Sequence, residues 1–325
     1  MAGHQGLVGS ALVRQLRATH RGNLLLRTHR ELDLTNQNEV QEFFSRERPE
    51  YVFLAAAKVG GILANSTYPA EFIYQNLLIQ TNVIHEAYRS GAKRLLFLGS
   101  SCIYPKHALQ PMKEEYLLTG SLEPTNRPYS MAKISGVEMC WSYNRQYGTR
   151  FLAAMPTNLY GRGDHYDLHN SHVIAALIRK MHEAKMSGAN QVVIWGTGTP
   201  RREFLYGDDA AEACVFLMDM PERNLDSIVR DDRLGPILNI GCGEDLTVRE
   251  LADLIAEVVG FTGSMVFDTS KPDGIPRKLL DTSRLTALGW KHAMPLRKGL
   301  GQTYRDFLEH QAFTAAGQFR QAPAG

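Results

Sequence analysis

This sequence has no long apolar run. No stretch approaches the length that crosses a bilayer, and the first residues, Met1-Ala2-Gly3-His4, lack the basic and apolar segments of a secretory leader. Cysteine is sparse. Cys102, Cys140, Cys214 and Cys242 show no C-x-x-C spacing and no accompanying His pair, which argues against a disulfide framework and against a metal site. Charge of one sign is lacking too. Lys plus Arg number 36 against 34 for Asp plus Glu, so the molecule as a whole has no polyanion-binding character and any anion site must be local. These absences predict a cytoplasmic protein with no nucleic-acid or membrane partner, its thiols kept reduced.

What is present suits a globular enzyme. Length (325 residues) fits one large domain or two intimately packed ones, and 44% hydrophobic against 22% charged residues supply an ordinary core. In the first half, short apolar runs read as buried strands at Leu24 to Leu26, Tyr51 to Ala55, Arg94 to Gly99 and Phe151 to Met155. Stretches of helical period separate them, at Leu7 to Leu16, Val40 to Arg46, Pro69 to Arg89 and Tyr129 to Tyr147. Strands alternating with helices predict βαβ units and a parallel sheet.

The second half is less regular. Helices are predicted at Ser171 to Lys185, Asp208 to Met218 and Val248 to Val259, the last behind a Thr247/Glu250 capping box, with strands at Val192 to Trp195 and Ile237 to Ile240. The expected α/β fold is therefore a Rossmann-like doubly wound parallel sheet with a smaller α/β substrate-binding domain. Residues 1–163 would form the dinucleotide domain, with about 203–243 returning to it. Residues 164–310 would form mainly the substrate domain, and 311–325 a flexible tail.

Gly3, Gly6 and Gly9 open the first helix, where glycines permit a tight turn, close approach of a pyrophosphate and close helix–sheet packing. Only Met1 and Ala2 precede this loop, so the central strand that should feed it is missing from the chain, and a start several residues upstream is expected. After Leu24 to Leu26 the sequence turns basic, Arg27-Thr28-His29-Arg30, where NAD enzymes of this type carry an acid for the ribose hydroxyls. Arg27 and His29 can meet a 2'-phosphate, which predicts NADPH over NADH.

Tyr129 and Lys133 lie four apart at the start of a helix and project from one face. A ketone reductase needs a proton donor beside the carbonyl oxygen, and an adjacent ammonium is expected to draw the phenol below its ordinary value. Ser100 and Ser101 follow a buried strand, where such folds place chemistry, and either hydroxyl can serve the ketone oxygen.

Together the glycine loop, the Tyr129/Lys133 pair and the serine after the strand resemble the extended short-chain dehydrogenase/reductase superfamily. Ala55 to Gly61, Gly99 to Lys106, Met155 to Gly161, Asn170 to His172 and Ser270 to Lys278 resemble, more narrowly, the GDP-L-fucose synthase family. That resemblance implies 3,5-epimerisation and then NADPH-dependent 4-reduction of GDP-4-keto-6-deoxy-D-mannose, in a homodimer. It implies Cys102 and His172 as the acid–base pair of epimerisation. It also implies Leu98, Ser101, Lys133, Pro156, Asn158, Leu159 and His172 against NADPH/NADP+, and Lys180, Trp195, Arg202 and Asp273 against the nucleotide sugar. Gln5 stands where family members are basic, which leaves more of the 2'-phosphate to Arg27 and His29. Two other readings stay open: another nucleotide-sugar epimerase or dehydratase of the superfamily, and a non-catalytic NADPH-binding sensor.

Overall fold

The computed structural model describes residues 1–19, 22–167, 171–271 and 273–315. Asn170, Pro272 and the tail from 316 lie outside the described residues. The chain opens with α1 (Leu7–Ala18) and α2 (Gln37–Glu47), followed by β1 (Tyr51–Leu54), α3 (Ile62–Thr67), α4 (Pro69–Arg89), β2 (Arg94–Leu98), α5 (Arg127–Tyr147) and β3 (Phe151–Pro156). It continues through β4 (Asn158–Tyr160), α6 (Val173–Ser187), β5 (Gln191–Trp195), β6 (Arg201–Tyr206), α7 (Gly207–Asp219), α8 (Glu222–Val229) and β7 (Ile237–Ile240). The remaining elements are β8 (Asp245–Thr247), α9 (Val248–Val259), β9 (Ser264–Asp268), β10 (Arg277–Lys278), α10 (Ser283–Ala287) and α11 (Leu296–Ala315).

The main sheet is parallel in the order β1-β2-β3-β7. Both faces are covered, which is why β2 and β7 are buried at every residue and are apolar except at Arg94 and Asn239. One face packs with α1 and α7 through Leu12, Leu96, Leu152, Leu217 and Leu238, and the other with α2, α4 and α5 through Val40, Phe44, Ile84, Leu95, Val137 and Phe151.

A second sheet runs β10-β6-β4, with β8 antiparallel on β6, beside a separate parallel pair of β5 and β9. These strands, with α6, α9 and α11, bury a third core around Tyr160, Ile178, Phe204, Ile255 and Phe307.

Two expectations are corrected here. Leu24 to Leu26 forms no strand. Met1 donates its ammonium to the Leu25 carbonyl (3.1 Å), and Ala2 makes a single parallel bridge to Leu54. A ladder needs more backbone than two residues offer. Second, α11 continues through Ala315, so the first residues of the expected 311–325 tail are helical.

Candidate active site

The strand ends of the main sheet and the glycine loop open into one cleft of about 2450 Å³. At its floor, Gly3 adopts φ +82°, and a Cβ there would strike the Ala55–Ala56 backbone. A Cβ on Gly9 would collide with the Gly3 carbonyl, so helix and loop touch only because position 9 is glycine. Gly6 caps α1 with no side-chain hydrogen bond, leaving the first N–H groups of the helix aimed at the cleft. A dinucleotide pyrophosphate fits this cradle.

At the far end of the same cleft lie Arg27 and His29. Arg27 donates to Glu47 (3.2 Å) and lies over the Phe43 ring, 5.6 Å from its centre; exposed His29 faces Asp33 at 3.7 Å.

Tyr129 stands in the first turn of α5, directly after Pro128, with its ring edge-on to Phe72. Lys133 is buried at 3% exposure and donates to the carbonyl of Leu98 (2.8 Å), which ends β2; its ammonium is 5.8 Å from the centre of the tyrosine ring. Here the sign of the expected shift is corrected. Burial pushes the Tyr129 phenol up, Cys102 adds to the rise, and a hydrogen bond with Ser100 only partly opposes it. Burial also lowers Lys133, to about 7. Dry surroundings favour the neutral forms of both groups over an ammonium–phenolate pair.

Ser100 begins the short turn after β2, and its Oγ accepts the Cys102 N–H at 3.2 Å; Ser101 is buried beneath. Cys102 is held from three sides. Ser130 donates to its carbonyl (2.9 Å), and Lys278 from β10 reaches its sulfur (3.4 Å). Burial alone would raise the thiol, but the Lys278 charge and hydrogen bonds from Ser100, Lys278 and Asn126 outweigh it and hold Cys102 below its ordinary value. His172 caps α6 and, although its surface is exposed, lines the same cleft; partial desolvation there, and then Lys278, push its imidazole down. Lys278 and Asn126 are the residues that sequence reading did not single out. Lys278 ends the Pro- and Gly-containing segment Ser270 to Lys278, and Asn126 lies three residues before Tyr129.

Pro156, Asn158 and Leu159 line the cleft between β3 and β4, with Asn158 donating to the Glu203 carbonyl (2.8 Å). Arg202 and Asp273 line it too. The register β6–β10 sets Arg202 directly beside Lys278, and burial works against the charge on Arg202. Both Asp273 oxygens are engaged by Thr197, through its N–H (2.7 Å) and hydroxyl (2.8 Å).

Lys180 and Trp195 are not brought into the cleft walls. Trp195 is 55% exposed on β5, with the ammonium groups of Lys180 (5.5 Å) and Lys271 (5.6 Å) near its ring. Arg179, one residue earlier, does reach the cleft and donates to the Tyr166 carbonyl (3.0 Å).

A glycine cradle leading to a half-buried tyrosine above a buried lysine defines a dinucleotide-dependent enzyme of the reductase and epimerase type. The chain belongs to the NAD dependent epimerase/dehydratase family, whose model matches residues 1–241. Its relatives include GDP-L-fucose synthase 1 of Arabidopsis thaliana, 57% identical over 95% of this chain and 93% of that one. GDP-L-fucose synthase of Escherichia coli (strain K12) is 54% identical over 96% of each. Among solved structures, a GDP-D-glycero-L-gluco-heptose synthase from Campylobacter jejuni, determined in the presence of NADPH, superposes with a TM-score of 0.86 at 39% identity, over 94% of this chain and 97% of that one.

Proposed function

We propose that this chain carries out the GDP-L-fucose synthase reaction: epimerisation of GDP-4-keto-6-deoxy-D-mannose at C3 and C5, then NADPH-dependent reduction at C4. The observation that carries it is the meeting of Cys102, His172 and Lys278 with Tyr129 and Lys133 in one cleft. A plain reductase needs only the last two. Protons on carbons beside a ketone are acidified, and inverting such a carbon takes a base on one face and an acid on the other. Cys102 and His172 are those two groups. A thiol held low and an imidazole held low both exchange protons near neutrality.

The nicotinamide supplies the hydride. Ser100 hydrogen-bonds the C4 oxygen as charge builds on it during enolisation and again during reduction, and Tyr129 gives that oxygen its proton. A phenol held up by burial arrives protonated, the form an acid requires. Lys133 positions the cofactor ribose from below, Leu98, Ser101, Pro156, Asn158 and Leu159 line its path, and Arg27 and His29 meet the 2'-phosphate. Arg202 binds the nucleotide diphosphate. Trp195 and Lys180 form an outer platform for the base, and Asp273 shapes the loop beneath it.

This assignment divides the chain into a cofactor part (1–163 with about 203–243) and a substrate part (164–310). Two copies would pair through α4 and α5, where exposed Met131 lies at an apolar recess lined also by Pro69, Ala70, Ile73 and Pro128. A cytoplasmic setting suits a mechanism that needs a reduced thiol. No helix of the described residues is long and apolar enough to cross a membrane.

The test is incubation with GDP-4-keto-6-deoxy-D-mannose and NADPH, with the product identified by NMR. Stoichiometric NADPH oxidation yielding the L-fucose configuration supports the proposal. Reduction without inversion at C3 and C5 rejects it.

A further inference from the structure

The turn that follows residues 24–26 pairs its bases with acids. Arg27 lies over Phe43, and both line the cleft. One of its nitrogens donates to the Leu26 carbonyl (2.8 Å) and another to Glu47 Oε1 (3.2 Å), which leaves further N–H donors on the guanidinium. Among the described residues lining this end of the cleft, Arg27 is the one arginine; His4 and His29 are the other bases.

Three acids stand around them. Glu31 accepts from the Thr28 N–H (2.7 Å) and hydroxyl (2.8 Å), and Asp33 from those of Thr35 (2.9 and 2.8 Å). These two close turns, and their place follows from local backbone needs. Glu47 differs. Its hydrogen bonds go to guanidinium groups, Arg27 and Arg46. It is also the last residue of α2, where a carboxylate opposes the helix dipole, so helix formation gives no reason for an acid there.

We infer that Glu47 is a specificity-determining residue for the cofactor. A dinucleotide with a free ribose hydroxyl needs no cation there and meets Arg27 already engaged by Glu47, which also accepts from Arg46. A dinucleotide carrying a 2'-phosphate must share Arg27 with the Glu47 carboxylate, which competes with it for the guanidinium. The carboxylate therefore opposes the phosphorylated cofactor selectively and lowers the NADPH:NADH ratio below what Arg27 alone would give. Lying outside the cleft walls, it does this without touching either cofactor. The inference rests on the reading that the cofactor's ribose end lies at the Arg27 turn.

The experiment measures kcat/KM for NADPH and for NADH at saturating nucleotide sugar, with direct titration of NADP+ and NAD+ binding as a second readout. In Glu47→Gln, NADPH is expected to improve about twofold to fivefold, the range of a partly exposed ion pair, with NADH unchanged. In Arg27→Ala, NADPH should worsen while NADH holds, and adding Glu47→Gln to that variant should change nothing further. If Arg27→Ala discriminates between the cofactors but Glu47→Gln leaves their ratio unchanged, or moves it toward NADH, the role of Glu47 is overturned. If Arg27→Ala affects both cofactors equally or neither, the placement of the ribose end fails, and the inference falls with it.

Discussion

The chemistry of Cys102 depends on a residue 176 positions away. Its sulfur lies 3.4 Å from the Lys278 ammonium, and that charge, with hydrogen bonds from Ser100 and Asn126, overcomes burial and favours the thiolate. Replacing Lys278 with Met should therefore raise the thiol, and should also relieve the lesser part of the downward push on His172, whose main cause is desolvation. The acid limb of C3 and C5 proton exchange, followed as deuterium uptake from heavy water, should move to higher pH by about one unit, since a cation at this range is worth that much. An unmoved limb would show that Lys278 does not tune the thiol. Tyr129→Phe should instead leave exchange intact and cut NADPH oxidation by about a hundredfold or more, as removal of a positioned acid does. Lys133 offers a stability test. Its pKa of about 7 lies below the unfolded value, so the unfolded chain binds the extra proton, and stability from this group is lost as pH falls from about 10 towards 7. At pH 8 that cost is on the order of 3 kcal/mol, against about 1 kcal/mol for the hydrogen bond to Leu98. Lys133→Met should lose reduction and yet melt at a higher temperature; a lower melting temperature at pH 8 would refute the bookkeeping. Tyr129 and Lys133 were legible in the sequence because a helix fixes their relation locally. The sign of the Tyr129 shift was not, because burial is a property of the assembled fold.

At the scale of elements, what could be read followed local rules. Residues 248–259 form a helix behind the Thr247/Glu250 capping box, with the Thr247 hydroxyl accepting the Glu250 N–H (3.1 Å) and the Glu250 carboxylate accepting the Thr247 N–H (2.7 Å). Pro69–Arg89 and Ile237–Ile240 likewise match their patterns. The short strands of the second sheet carry no such signal. With two or three residues each, β4, β8 and β10 show neither period nor apolar run, and they exist because β6 gives them a partner. That is why Lys278 escaped notice as a site residue: its position depends on pairing with Arg202 across β6 and β10. The glycine loop was legible in kind, and the structure adds which glycine is most constrained. A Cβ at Gly9 meets the Gly3 carbonyl, backbone that cannot swing away as a side chain could, whereas one at Gly6 would make only ordinary contact with the same carbonyl oxygen (3.7 Å). Gly9→Ala should therefore weaken NADPH binding by at least tenfold in a direct titration, or destabilise the protein by about 1–3 kcal/mol, while Gly6→Ala should be several times milder. Equal effects at the two positions would remove the distinction.

Over the whole molecule, the two sheets are joined at a buried carboxylate. Glu203 has no exposed surface, and its Oε1 accepts the Gly243 N–H (2.7 Å) beyond β7 while its Oε2 accepts the Leu280 N–H (2.9 Å) beyond β10. Its own carbonyl receives Thr157 (3.3 Å) and Asn158 (2.8 Å) between β3 and β4. Burial pushes its pKa up against these hydrogen bonds, so the carboxylate is held at a cost that the converging N–H groups offset. Its neighbour in the chain is Arg202, and Leu280 lies two residues past Lys278, so one side chain fixes the register of the cations proposed to face the sugar nucleotide. Glu203→Gln keeps the volume but turns an amide N–H toward one of the two backbone donors, leaving that donor unpaired at a cost of about 1–3 kcal/mol. The expected result is a lower melting temperature together with a rise in KM for the nucleotide sugar that exceeds any rise for NADPH, because the glycine cradle is built on α1 and the strand ends of the other sheet. Equal rises in both KM values would mean that Glu203 only stabilises the fold. An unchanged sugar KM in a folded, less stable protein would separate the register of β6 and β10 from substrate binding, and with it the proposed work of Arg202.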